Sequence, residues 1–326
     1  MSNLGSTAAA PERDGSSKNA TRPTRITVPG KKGHVSSRGA SNLSPPMAYL
    51  TNFMTCMGDL CHATTNPRGY IPLCVAENKL VTNRLQERLA TAATAQAGFG
   101  VDQDVYGYNN PLGLDVLRQA LAQFFEQHFL CAPSPDSEAA EPVEKKNTSS
   151  STSIDFNHIV VGAGAISILN HLFFCLSHAN DGVLIPAPYY AAFDNDLRAF
   201  CGCIPIPVVC ANPAQGPTIA ELQQAKDQAE RDGTVKVKFL LLTHPHNPLG
   251  VVYDSKVVTD AVEWARSYEM NIVADEIYAL SVFDEATSVS SDNGSKRKKV
   301  QHKFASVIQL YQNNLGPDIH VVWALS

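Results

Sequence analysis

From about position 113 onward the apolar residues follow two alternating rhythms. Some stretches repeat at helical spacing, and others are short unbroken runs of branched residues. Leu117, Leu121, Phe124 and Phe125 share one face of a helix expected over 114–130. A short strand is expected at 158–161, an apolar helix at 165–178, a strand at 183–186, a helix at 191–200 and a strand at 204–209. Thr218 and Glu221 have the spacing of a capping box, so a helix should start at Ile219. The pattern continues with a buried strand at 237–243, a helix at 257–268, a strand at 271–275, a helix at 304–311 and a last strand at 319–324. Strands that alternate with helices and are apolar throughout predict an α/β fold: a mostly parallel sheet with helices on both faces. Ligands on such sheets bind beyond the carboxyl ends of the strands. That rule singles out 162–164, 186–190, 243–247, 275–278 and Ser326.

Three stretches break the rhythm. Residues 1–45 have few large apolar side chains and are expected to be a disordered tail; 132–153 and 285–299 are expected to be disordered insertions. The basic cluster 296–299 reads as part of a solvated loop, with a targeting signal as the alternative. A hydrophobic fraction of 44% is ordinary for a globular chain of 326 residues. A net charge of −5 gives no footprint for nucleic acid, and no apolar run is long enough for a membrane span. The eight cysteines form no C-x-x-C pair, so reduced core thiols in the cytosol are expected rather than zinc or a disulfide frame. A transit segment within 1–45 stays open as an alternative.

The strand ends carry the chemistry. V-G-A-G-A-I-S (161–167) opens a helix whose free amides suit a phosphate, although close packing alone also explains such turns. P-A-P-Y-Y-A-A-F-D-N-D-L (186–197) sets two tyrosines where one ring could cover a flat ligand or simply pack. In L-L-L-T-H-P-H-N-P-L-G (240–250), Asn247 is a fixed polar group just past a buried strand. His244 and His246 flank Pro245 with no third ligand in view, which argues against a metal. I-V-A-D-E-I-Y (272–278) ends an apolar strand in Asp275, and Tyr278 follows. A carboxylate, an amide, a hydroxyl, a stacking ring and a helix N-terminus are together the parts that hold pyridoxal 5′-phosphate.

These motifs resemble those of the fold-type I aminotransferase superfamily, and within it the 1-aminocyclopropane-1-carboxylate synthases and their animal and fungal relatives. The resemblance runs over 69–326. It is most specific in F-C-L-S-H-A-N-D-G-V-L-I-P-A-P-Y-Y-A-A-F-D-N-D-L (174–197), with G-Y-I-P-L-C-V-A-E-N-K-L (69–80) and A-D-E-I-Y-A-L-S-V-F (274–283) in the matching order. It implies a pyridoxal-phosphate-binding large domain over 113–326, incomplete at its carboxyl end. Residues 46–112 would serve part of a small domain and dimer contacts. It implies that Asp275 pairs with the pyridine nitrogen, that Asn247 and Tyr278 bond the phenolic oxygen, and that Tyr190 stacks on the ring. Gly164, Ala165 and Ile166 would meet the phosphate. Glu77 would shape the substrate pocket, and Tyr108, with Tyr106 as fallback, would reach the neighbouring subunit's site in a homodimer.

Two family hydroxyls are replaced, by Ile166 in the phosphate turn and by Ala324 before the lysine motif. Ser326 would touch the cofactor immediately before the expected Schiff-base lysine, and the sequence stops there. Lys79, Lys236, Lys238 and Lys256 do not fit that role. The chain is therefore read as a piece of a longer protein, inactive as it stands, with a cofactor-less relative as the alternative. The expected reaction of the intact protein is α,γ-elimination on S-adenosylmethionine. The alternatives are an aminotransferase acting on another amino acid and a non-catalytic binding or scaffold protein.

Overall fold

The structure, a computed structural model, describes residues 26–27, 34–35, 48–73, 79–95, 109–130, 154–282, 303–312 and 314–324. Two compact units emerge, Met1–Pro46 and Met47–Ser326. The first contains β1 (Ile26–Thr27) paired antiparallel with β2 (His34–Val35). The expected insertions at 132–153 and 285–299 lie outside the described residues.

The second unit begins with α1 (Ala48–Gly58), α2 (Thr82–Ala95) and α3 (Asp115–Phe125), the last running into a π turn at Glu126–Leu130. Strands and helices then alternate: α4 (Gly164–Leu176), β3 (Asp181–Ala187), α5 (Phe193–Cys201), β4 (Ile204–Val209), α6 (Ile219–Ala229), β5 (Lys236–Thr243), α7 (Ser255–Ser267), β6 (Asn271–Asp275), α8 (Val307–Leu310) and β7 (Ile319–Val322). The five strands form one sheet in the order β4-β3-β5-β6-β7, and every pairing is parallel. Their carboxyl ends therefore share one edge.

Side-chain alternation along each strand builds the two faces. Val183, Ile185, Phe239, Leu241, Val273 and Val322 point to one face, under Leu169 and Phe173 of α4 and Phe193 and Leu197 of α5. Leu184, Leu240, Leu242, Ile272 and Ala274 point to the other, under Leu222 of α6, Val258 and Val262 of α7 and Val307 of α8. Both faces are dry, which is why these strands are apolar throughout. β4, at one margin, carries Pro205 and Pro207, which lack the amides that would recruit another strand.

Local signals held where the chain satisfies itself. The Thr218 hydroxyl accepts from the Glu221 amide (3.3 Å), and the Glu221 carboxylate accepts from the Thr218 amide (2.8 Å), so α6 starts at Ile219. Gly202 ends α5 at φ +73°, a conformation that a Cβ would strain.

Three expectations fail. The strand expected at 158–161 is a 3-10 turn (Phe156–His158) followed by extended chain. The Val161 amide donates to the Leu112 carbonyl (2.8 Å), not to a sheet neighbour, and Val160 stays 56% exposed. The helix expected at 304–311 is only α8, because its start is fixed by the Ser306 cap. In α3 the apolar face is rotated from the expected one. Leu117 is 42% exposed, and Arg118 is buried instead, donating to the Gly113 carbonyl (3.2 Å), the Phe156 carbonyl (3.1 Å) and Asp115 (2.5 Å). Its guanidinium lies 5.2 Å from the Phe156 ring. Arg118 thus clamps the chain at Gly113 to the turn at Phe156.

Candidate active site at the carboxyl edge of the sheet

Asp275 is the last residue of β6 and is only 7% exposed. It aligns with Thr243 of β5 on one side and Val322 of β7 on the other. All three continue the face covered by α4 and α5. Among the described residues, its carboxylate accepts a single long hydrogen bond, from the Ile277 amide at 3.4 Å. No cation among the described residues neutralises it. Burial raises its pKa to about 6; the Ile277 amide and, more weakly, the nearby Thr243 hydroxyl pull it back. An acid this deep at a ligand-binding edge needs a partner that the protein alone does not supply.

Tyr190 follows β3 and the cis Ala187–Pro188 bond. Its ring meets Phe193 edge-on (5.4 Å between centroids, 89°). Burial raises the pKa of its hydroxyl, and Tyr49, Asp196, Tyr278 and Asp275 add to the rise. Tyr278, half-buried, precedes the 3-10 turn Ala279–Ser281. Asn247 sits half-buried in the loop leaving β5, next to β6 in the sheet. That loop is closed by the His246 amide on the Val251 carbonyl (2.9 Å) and the Gly250 amide on the His246 carbonyl (2.8 Å). Burial lowers the pKa of the His246 ring, and the nearby Pro186 backbone partly offsets this. No hydrogen bond among the described residues joins Asn247 to Asp275 or Tyr278.

Gly164, Ala165 and Ile166 form the first turn of α4. Gly164 has φ +81°, and nothing lies within 4 Å of where its Cβ would stand. Ala163 provides no side-chain cap, and Ile166 is 46% exposed. Helix-terminal amides with no capping side chain over open space suit an anion. Glu77, Tyr106, Tyr108 and Ser326 lie outside the described residues.

The expected absence of a substitute lysine can be examined at three positions. Lys236 and Lys238 are at the amino end of β5, the far edge of the sheet from Asp275. Lys256, on α7, pairs with Asp260 at 2.6 Å. His244 is 1% exposed but follows Thr243 onto the opposite face, stacked on Tyr253 and near Phe304. Burial drops its pKa to about 4. Among the described residues no group of three metal-binding side chains occurs. An open cleft of about 490 Å³ lies at the amino edge, around the Arg266–Asp318 ion pair (2.7 Å), away from these groups.

Sequence reasoning missed two residues beside Asp275. The strand-end rule singles out 243–247 without giving Thr243 a role, because its register with Asp275 depends on pairing, which no local motif reports. Glu276 is 1% exposed and accepts from the Ser306 hydroxyl (2.6 Å), the Val307 amide (2.7 Å) and the Trp323 indole (3.2 Å). It binds β6 to α8 and β7 on the face away from the site. Burial raises its pKa to about 7.

The sequence matches the family described as aminotransferase class I and II over residues 68–310. It is 30% identical over 270 residues to 1-aminocyclopropane-1-carboxylate synthase 2 of Arabidopsis thaliana, covering 81% of this chain and 51% of the relative. It is 33% identical over 250 residues to synthase 5 of Oryza sativa subsp. japonica, covering 74% and 43%. Among solved structures, aspartate aminotransferase from Thermus thermophilus with maleate superposes with a TM-score of 0.53 at 21% identity, covering 74% of this chain and 53% of that one. The chain thus spans about half the length of the curated relatives it matches.

Proposed function

Since this chain belongs to the aminotransferase class I and II family, whose members depend on pyridoxal phosphate, we propose that the carboxyl edge of its sheet holds that cofactor and that the whole protein is a 1-aminocyclopropane-1-carboxylate synthase-like lyase. The observation that carries the proposal is the buried Asp275 carboxylate, which no cation among the described residues neutralises, on the sheet face covered by α4. The residues fit the group. Asp275 would face the ring nitrogen and keep it protonated. Tyr278 and Asn247 would donate to the phenolic oxygen, Tyr190 would cover one side of the ring, and the amides of Gly164, Ala165 and Ile166 would hold the phosphate. When bound, the cofactor supplies an electron sink for charge developing at an amino acid's α-carbon.

The chain's own groups do the positioning. An anion at Asp275 in this dry setting would act on the ring nitrogen with little screening by water. Ile166 leaves the phosphate to backbone amides without a side-chain hydroxyl. Glu77 and Tyr108 are assigned to the substrate pocket, with Tyr108 serving the neighbouring subunit of a homodimer. Ser326 is assigned to cofactor contact.

S-adenosylmethionine is the proposed substrate, supported by the synthase relatives. Its sulfonium is a good leaving group, so the site has mainly to orient the chain for ring closure. The test is incubation of the full-length protein with S-adenosylmethionine and pyridoxal 5′-phosphate. Formation of 1-aminocyclopropane-1-carboxylate and methylthioadenosine is expected. Keto acid alone would overturn the lyase assignment in favour of an aminotransferase, and no product at all would favour a binding protein.

A further inference from the structure

Asp275 needs something to hold its carboxylate in place. The Ile277 amide reaches Oδ1 only at 3.4 Å, too long to fix an acid on which a ring nitrogen is to rest. The neighbouring strand offers a candidate. Thr243 is the Cα partner of Asp275 in the parallel pairing of β5 and β6. Paired residues on adjacent strands stand about 4.8 Å apart and point to the same face. That face is fixed here: Phe239 and Leu241 precede Thr243 on it, and Val273 precedes Asp275. Thr243 is 4% exposed, and its Oγ1 is buried without a hydrogen-bond partner among the described residues. A buried hydroxyl left without a partner is costly, so the position needs an explanation. Val322, on the other flank of Asp275, has no polar atom in its side chain.

We propose that Thr243 is the positioning residue for Asp275, its hydroxyl turning to donate to the carboxylate when that acid is ionised. The proposal rests on the reading of Asp275 as the acid beneath the cofactor's ring nitrogen. The paired register sets the two side chains side by side on one face. Placed beside the carboxylate, a Thr243 donor would lower the Asp275 pKa, the direction in which Thr243 bears on it. The pair then orients the acid toward the ring and favours its charged form.

The experiment is a carboxyl ¹³C NMR titration of the full chain labelled in aspartate, with the Asp275 signal assigned by its loss in Asp275→Asn. Thr243→Val keeps shape and removes the donor. It is expected to raise the Asp275 titration midpoint by about one pH unit, while Thr243→Ser leaves it near the parent value. Should the valine variant not fold, Thr243→Ala gives the same comparison. An unchanged midpoint in the donor-less variant overturns the proposal, and a role limited to packing would lower the melting temperature without moving the midpoint. The titration is read without cofactor, so it can fail independently of the cofactor assignment. That assignment is tested separately by fluorescence titration of pyridoxal 5′-phosphate into the parent chain.

Discussion

Asp275 is held at a cost to folding. Its pKa is raised to about 6 by burial, so the folded state binds this proton more tightly than the unfolded state does. Its contribution to stability is therefore greatest at low pH and is lost as pH rises from about 4 through 6. Asp275→Asn should melt higher than the parent at pH 8, by an amount on the order of 3 kcal/mol, with the gain shrinking toward pH 5. The same variant should bind pyridoxal 5′-phosphate at least about tenfold more weakly, about 1.4 kcal/mol, in a fluorescence titration. A variant that is both less stable at pH 8 and equally good at binding would contradict this role. Glu276 provides an independent test with the same sign. Its pKa, raised to about 7, makes the parent lose stability as pH climbs from about 4.5 to 7, so any advantage over Glu276→Gln should shrink between pH 5 and pH 8 in thermal melts. His244 works in the opposite direction, because a histidine held neutral to about pH 4 loses stability as pH falls below 6.5. Variant-minus-parent differences therefore give a cleaner signal than either melting curve alone.

Elements whose boundaries depend on nearby residues were legible in the sequence. The capping box at Thr218 and Glu221 set the start of α6, and the branched runs of β4 and β6 were found at their observed limits. Thr218→Ala should cost about 1 kcal/mol in urea denaturation without moving any strand. Elements that depend on partners were not legible. The apolar run at 158–161 has the composition of a strand but bonds to Leu112, not to a sheet neighbour. Arg118 is a charged residue used as a core clamp, which periodicity alone cannot report. At the site, motif residues such as Asp275, Tyr190 and Tyr278 could be nominated from sequence because strand ends are recognisable. The role of Thr243 emerged only from the register of β5 against β6. Leu241→Ala, deep on the face beneath the site, should cost about 2–5 kcal/mol in urea denaturation.

At the scale of the molecule, five parallel strands bring to one edge segments as far apart in the chain as Ala187 and Val322. α4 covers the same face, and its uncapped first turn opens into space. Burying an acid on such a sheet is costly, and Asp275, with no cation beside it among the described residues, favours an electropositive partner. Hydrogen–deuterium exchange of the chain with and without pyridoxal 5′-phosphate tests whether these tips form one site. Added protection confined to 164–166, 187–190, 243–247 and 275–278 is the expected result. Protection elsewhere, or none at saturating cofactor, would contradict it.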